Sequence, residues 1–228
     1  MLRMGSGVGL GAALVAYHNA LILLVPRVLH LPLNLAMAGA TVAWARRRRL
    51  SWERIGLGRS GVRPGLRWGL AIAAAGAAGL ALLLALGGEG LVRDRRFAGL
   101  RAPGVLFRIL VRIPLGTALA EEVAFRGVLF GNLDRERSTA VAVAGSSLAF
   151  GLWHVAPTLS MLEANRPGLG PADTTLAVAG AVVATTAGGV LFALLRIRSR
   201  GILGPVLAHW GFNVLGTLGA VYAERSET

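Results

Sequence analysis

The chain contains no cysteine and, although Lys and Arg together number 24, no lysine. The first absence excludes disulfides, thiolate nucleophiles and Cys-ligated zinc. Charge is scarce as well: 15% of residues are charged, against roughly 25% in an ordinary soluble domain. No internal repeat is detectable, and no His-Glu-x-x-His zinc-protease motif occurs. What fills the chain is apolar. Hydrophobic residues make up 54% and the mean hydropathy is +0.62, arranged as runs of about 20 residues, enough to cross a bilayer as helices. Strands are excluded as spanning elements here, because backbone polar groups in lipid need partners within their own segment or a closed barrel. The expectation is an all-α polytopic transmembrane helical bundle of about seven spans, forming one domain over 1–228.

The net charge of +13 does not point to nucleic acid. The arginines sit between apolar runs, where they set topology and meet lipid headgroups. Gly5 to Val25 is too long for the apolar core of a signal peptide, and no small-x-small cleavage site follows it, so it reads as a first anchor. Leu31 to Ala45 is a second span, stopped by Arg46-Arg47-Arg48-Arg49. Leu50 to Arg63 reads as an amphipathic connector on the membrane surface, and Gly65 to Gly88 as a third span. A charged loop from Glu89 to Arg101 and an interfacial helix from Ala102 to Arg112 lead into a fourth span, Ile113 to Leu133. Thr139 to Pro157 is the fifth span, Leu159 to Ala172 a polar loop, Thr174 to Leu195 the sixth span and Gly201 to Tyr222 the seventh. Placing the Arg46–Arg49 run inside makes the N-terminus cytoplasmic, in a multi-pass protein of the cell membrane. The Asp134–Arg137 and Arg196–Arg200 connections then fall on the inside too. One loop violates the rule: Arg93, Arg95, Arg96 and Arg101 land outside.

Polar side chains inside the apolar runs carry the chemistry. The fourth span holds Glu121, Glu122 and Arg126, and ionised groups at membrane depth cost on the order of 2.5–3.5 kcal/mol each, so packing alone does not account for them. Glu122 and Arg126 stand four apart in the order that favours an ion pair. Glu121, about 100° around the helix, is left desolvated and unpaired, as befits a general base. The fifth span presents Phe150 and His154 on one face. The seventh presents His209 and Asn213, a pair suited to holding a developing oxyanion. His18 and His30 belong to no such pattern and read as non-catalytic. Glu121, His154 and His209 would also be a geometrically acceptable zinc set, so no cofactor is firmly implied and a divalent metal stays open.

At these residues the sequence resembles the CAAX protease and bacteriocin-processing family (CPBP, or Abi), intramembrane proteases related to the eukaryotic prenyl-protein endopeptidase. The family pattern is Glu-Glu-x-x-x-Arg, Phe-x-x-x-His and His-x-x-x-Asn or Asp on separate late helices. Here it stands as Glu121-Glu122-x-x-x-Arg126, Phe150-x-x-x-His154 and His209-x-x-x-Asn213, complete and in order. The resemblance covers 103–218 as a catalytic core and leaves the N-terminal helices of 1–102 outside it. It implies that Glu121 and His154 activate a water, that His209 and Asn213 form the oxyanion hole, and that Glu122, Arg126 and Phe150 support them. The substrate would be a membrane-associated protein or peptide, cleaved within the bilayer. Two rival functions use the same polar residues: a proton-coupled transporter or channel, and a non-catalytic scaffold or immunity factor on the same fold. On these span boundaries Glu121 and His154 lie in the outer half of the bilayer and His209 nearer the inner end.

Overall fold

The computed structural model describes residues 6–226; Gly5, the first residue of the expected first span, lies outside them. The described residues form helices and turns without a strand. The principal helices are α1 (Ser6–Leu24), α2 (His30–Arg47), α3 (Val62–Ala85), α4 (Ala102–Glu136), α5 (Thr139–Trp153), α6 (Val155–Asn165), α7 (Pro171–Ser199) and α8 (Leu203–Arg225). Among the described residues, six stretches are long and apolar enough to cross a membrane, with α5 and α6 counting as one. The helix α8, expected as the seventh span, is 23 residues long. It is not among those six, and the polar His209 and Asn213 lower its hydropathy.

The arginine-rich connections gather at one end of the bundle, as alternation requires. Arg48 approaches Glu136 at 3.6 Å and Arg54 approaches Asp134 at 3.3 Å. Arg196 donates to the Arg54 carbonyl at 2.6 Å, and Glu136 receives the Gly7 backbone N–H at 3.1 Å, which fixes the start of α1 at the same end.

Several boundaries differ from the sequence expectation. The connector after α2 is a series of turns whose apolar residues divide: Leu50 and Ile55 are fully buried in a small core with Ala45 and Val128, whereas Trp52 and Leu57 stay exposed. The stretch expected to be a polar loop from Leu159 is helical as far as Asn165. Ala102 to Glu136 is one continuous helix instead of an interfacial helix followed by a span. Within it, Arg108–Leu119 and Val123–Leu129 are π-helical. Pro114 sits inside the first of these, where its missing N–H removes a rung from the α ladder.

Small residues set the close approaches. A Cβ on Gly69 would stand 2.8 Å from the Gly204 carbonyl oxygen, so α3 and α8 can touch backbone to backbone only through glycine. On α4, a Cβ at Gly127 would lie 3.0 Å from the Ile55 carbonyl and one at Gly131 would strike that of Arg54. Gly69, Gly127 and Gly131 therefore serve packing within the chain. The turn before α8 enters the bundle as far as Gly127: Ile202 donates its N–H to Gly56 at 3.0 Å and shares a core with Ala120 and Val123. This inserted turn starts α8 well inside the bundle and raises His209 to the level of the α4 carboxylates, which removes the depth mismatch.

Candidate active site

Four aromatic rings, Phe125, Phe150, Trp153 and Phe192, form part of the central core, and Arg126 is buried among three of them. Its guanidinium carbon lies 4.1 Å from the Phe150 ring centre, 5.2 Å from Phe192 and 5.9 Å from Phe125. A cation in such a cage gains from the ring faces, by about 2 kcal/mol when desolvated, but it still needs an anion. Glu122 supplies it: Arg126 Nη1 donates to Oε1 at 3.2 Å, with both side chains fully buried. This is the i,i+4 pair that the sequence implied.

The same Glu122 oxygen receives the Nδ1–H of His209 at 2.8 Å. Glu122 thus joins Arg126 on its own helix to an imidazole on α8. The His209 ring is also stacked on Phe192, with centroids 5.1 Å apart and planes at 20°. With Nδ1 engaged, Nε2 is directed towards Glu121, whose Oε2 stands 3.9 Å away. Glu121 Oε2 is buried and has no hydrogen-bond partner among the described residues, and the Trp153 indole N–H lies beside this carboxylate.

The helix α5 ends at Trp153, and His154 occupies the junction with α6 at φ −89° and ψ 4°, off helical geometry. The break lets the imidazole fold back: Nδ1–H donates to the Phe150 carbonyl at 2.7 Å, and the ring meets Phe150 edge to face at 4.6 Å. Since a carbonyl can only accept, Nδ1 carries the proton, and Nε2 of the neutral ring keeps its lone pair.

A cavity of about 740 Å³ opens from this centre towards the end of the bundle opposite the arginine-rich connections, and Glu121, His154 and Asn213 line it. His209, Glu122 and Arg126 stand behind that wall. Asn213 gives one amide N–H to the His209 carbonyl at 3.0 Å, which leaves its second N–H for the cavity. The four residues singled out from sequence are therefore brought together, but in two layers.

Three further residues on the wall belong to none of the motifs. His18, read from sequence as non-catalytic, lies against Trp153 in a near-parallel stack at 3.7 Å and lines the cavity with His30 and Asn34. Asn34 donates to the Gly116 carbonyl at 2.9 Å, which ties α2 to the π-helical part of α4. No sequence pattern marks these residues, because they meet the motif helices only through tertiary packing.

The π-helical geometry of α4 decides what faces the cavity. Arg108, Arg112, Ile113, Gly116, Thr117 and Glu121 all line it, a recurrence of four to five residues in place of 3.6. An i→i+5 ladder produces that spacing, and such segments are frequent at functional sites. Beyond the membrane segments, Asp94 organises the loop above the cavity. It accepts from the Arg96 guanidinium at 2.6 Å and from Asn165 at 3.0 Å. Burial pushes its carboxyl up, but these hydrogen bonds outweigh it and hold the group below the usual carboxylate range.

The zinc set that the sequence left open does not form. Among the described residues no group of three or more His, Cys, Asp or Glu is placed to hold a metal ion.

Fold and centre together define a polytopic helical membrane protein with an acid–imidazole site at the base of an internal cavity. Residues 103–215 match the family described as type II CAAX prenyl endopeptidase Rce1-like, and the chain belongs to that family. It is thereby a member of a family of CAAX-type membrane endopeptidases. No curated protein and no solved structure matches the chain.

Proposed function

We propose that the protein is an intramembrane endopeptidase that hydrolyses a peptide bond of a membrane-associated protein or peptide, with Glu121 as general base. The observation that carries this reading is the position of Glu121: a buried carboxylate, unpartnered at Oε2, 3.9 Å from His209 Nε2 and on the same cavity wall as His154. A carboxylate so placed is costly to the fold and is ready to take a proton from a water at the base of the cavity.

In the proposed reaction the Nε2 lone pair of His154 orients the water. Glu121 removes one proton as the water oxygen attacks the scissile carbonyl carbon. The new C–O bond leaves a tetrahedral oxyanion, which the free N–H of Asn213 holds, and the Nε2–H of His209 as well when that ring carries both protons. Collapse breaks the C–N bond, and the protonated Glu121 returns its proton to the departing amine. Water and peptide become a carboxylic acid and an amine, and Glu121 is regenerated. Glu122, Arg126 and Phe192 act through His209 by fixing its ring and tautomer. No step requires a metal.

The test is Glu121→Gln in the purified, reconstituted protein. Loss of a positioned general base removes on the order of 10²–10⁴-fold in rate, while circular dichroism and the unfolding midpoint should match wild type. Full activity in this variant would overturn the proposal. Transport of protons without any peptide cleavage in the same proteoliposomes would replace it with a relay function.

A further inference from the structure

His18 and Asn19 of α1 lie outside the matched segment 103–215, yet they reach the junction that carries His154. An unbroken helix through that junction would bond the Ala156 N–H to the Leu152 carbonyl, four residues back. The Asn19 carboxamide occupies that rung instead. Its Nδ2 donates to the Leu152 carbonyl at 3.1 Å, and its Oδ1 accepts the Ala156 N–H at 2.7 Å. Nδ2 also donates to the Val15 carbonyl at 2.8 Å, so the amide is held by its own helix while it bridges the two ends of the break. A side chain inserted into the ladder is one of the few causes of a sharp kink. Pro157, without an N–H, removes the next rung. His154, at the head of α6, offers it no side-chain cap, and Asn19 serves that end from another helix.

The neighbouring side chain reaches the other half of the site. His18 is buried and lies flat on Trp153, with planes 5° apart and centroids at 3.7 Å. Phe125 meets the same indole edge to face at 5.1 Å. The ring is thus clamped, and its N–H lies beside the Glu121 carboxylate. An imidazole and a carboxamide side by side in an apolar helix are costly in lipid, and here both are spent on contacts with α5 and α6.

We propose that His18 and Asn19 are a positioning pair of the active site: Asn19 opens the helix between α5 and α6 where His154 folds back, and His18 fixes Trp153 against Glu121. The catalytic consequence rests on the proteolytic reading of Glu121; the placement of His154 does not. Each residue acts through a neighbour. Without Asn19 the rung from Ala156 to Leu152 closes, α5 and α6 straighten towards one helix, and the His154 Nδ1–H leaves the Phe150 carbonyl that it reaches at 2.7 Å.

The experiment uses the full chain in nanodiscs with the best-cleaved member of a quenched-fluorescence apolar peptide library. Asn19→Leu should lower kcat by about 10²-fold, the cost of a misplacement near 1 Å, with KM changed by less than about threefold. Asn19→Gln, which carries both hydrogen-bonding groups on a longer stem, should restore part of the rate. His18→Leu should lower kcat in the same way, whereas His18→Phe, which keeps a flat ring on Trp153, should stay near wild type. NMR of histidine-labelled protein reads the site without hydrolysis. The His154 ring, assigned from the signals lost in His154→Ala, should show the Nδ1–H tautomer in wild type and Asn19→Gln and lose that fixed pattern in Asn19→Leu. If Asn19→Leu does not fold, Asn19→Asp, which keeps the acceptor for Ala156 and loses the donor to Leu152, replaces it in both measurements. An unaltered His154 signature overturns the positioning by Asn19, and so does a lowered unfolding midpoint with kcat unchanged. His18→Phe as inactive as His18→Leu overturns the stacking role. If the tautomer changes as described while Glu121→Gln cleaves at the full wild-type rate, the positioning of His154 stands and only the proteolytic reading of Glu121 fails.

Discussion

Replacing Arg126 by Met tests how the centre is held together. The guanidinium and the Glu122 carboxylate are both fully buried and meet at 3.2 Å. At an effective dielectric near 20 that separation corresponds to about 5 kcal/mol of attraction. Arg126 also rests 4.1 Å from the Phe150 ring centre, a contact worth about 2 kcal/mol when dry. Desolvation opposes both, so the gross attraction is not the loss to expect. The relevant quantity is the charge left behind. Without Arg126, Glu122 keeps only His209 Nδ1–H as a partner, at 2.8 Å, and stripping one member from a buried pair costs about 3–5 kcal/mol.

Glu122→Gln in the Arg126→Met background removes that stranded charge while its amide oxygen still accepts from His209. The double variant should therefore regain about 2 kcal/mol over Arg126→Met alone. Reversible unfolding in mixed micelles, followed by tryptophan fluorescence, completes the double-mutant cycle. Peptide cleavage should stay low in the double variant, since a neutral amide orients the His209 ring less firmly than a paired carboxylate does. A coupling energy below about 0.5 kcal/mol, or a double variant less stable than Arg126→Met, would refute the account of Glu122 as the shared partner of cation and imidazole.

Two other perturbations reach different parts of the molecule. Gly151→Ala should lower the unfolding midpoint and cost about 1–3 kcal/mol by overpacking, because its Cβ would strike Thr186 Oγ1 and stand 2.8 Å from the Val182 carbonyl on α7; an unchanged midpoint means that α5 and α7 are not packed there. Asp94 gives a pH signature. Its folded-state pKa is held down, so the stability it lends is present above the unfolded carboxylate value of about 3.9 and is lost as pH falls through the folded value. Amide protection factors across 89–101 should therefore be high at neutral pH and fall in strong acid. Asp94→Asn should exchange rapidly at both, and identical protection in wild type and variant would show that Arg96 and Asn165 do not hold this loop through Asp94.

What could be read from the sequence depended on how local the cause was. Glu122 and Arg126 are four apart on one helix, so their pairing followed from spacing, and the three motifs named the residues that meet at the centre. Their layering did not follow. That His209 stands behind Glu121 depends on the turn before α8 entering the bundle as far as Gly127, and that turn is held by Ile202, Gly56 and Ile55, which no motif includes. His18 belongs to no motif, yet a stack on Trp153 carries it to the cavity wall. Leu50 and Ile55 read as part of an amphipathic surface connector; the neighbouring glycines of α4 leave room for its carbonyls, and these two residues are buried while Trp52 and Leu57 stay exposed.

The helix α4 shows why a 3.6-residue period is a poor guide to this site. In an α-helix, Arg108 and Glu121 would project about 140° apart, on different faces. The π-helical stretches Arg108–Leu119 and Val123–Leu129 lengthen the turn, and the cavity face becomes Arg108, Arg112, Gly116 and Glu121. Pro114, which cannot donate to an α ladder, lies within the first stretch, and Asn34 takes up the Gly116 carbonyl there. The costs of a distorted helix, a buried unpaired acid and a cluster of like charges thus fall on one element. Each is unfavourable alone. They become intelligible together if that face of α4 is shaped to hold a substrate beside Glu121.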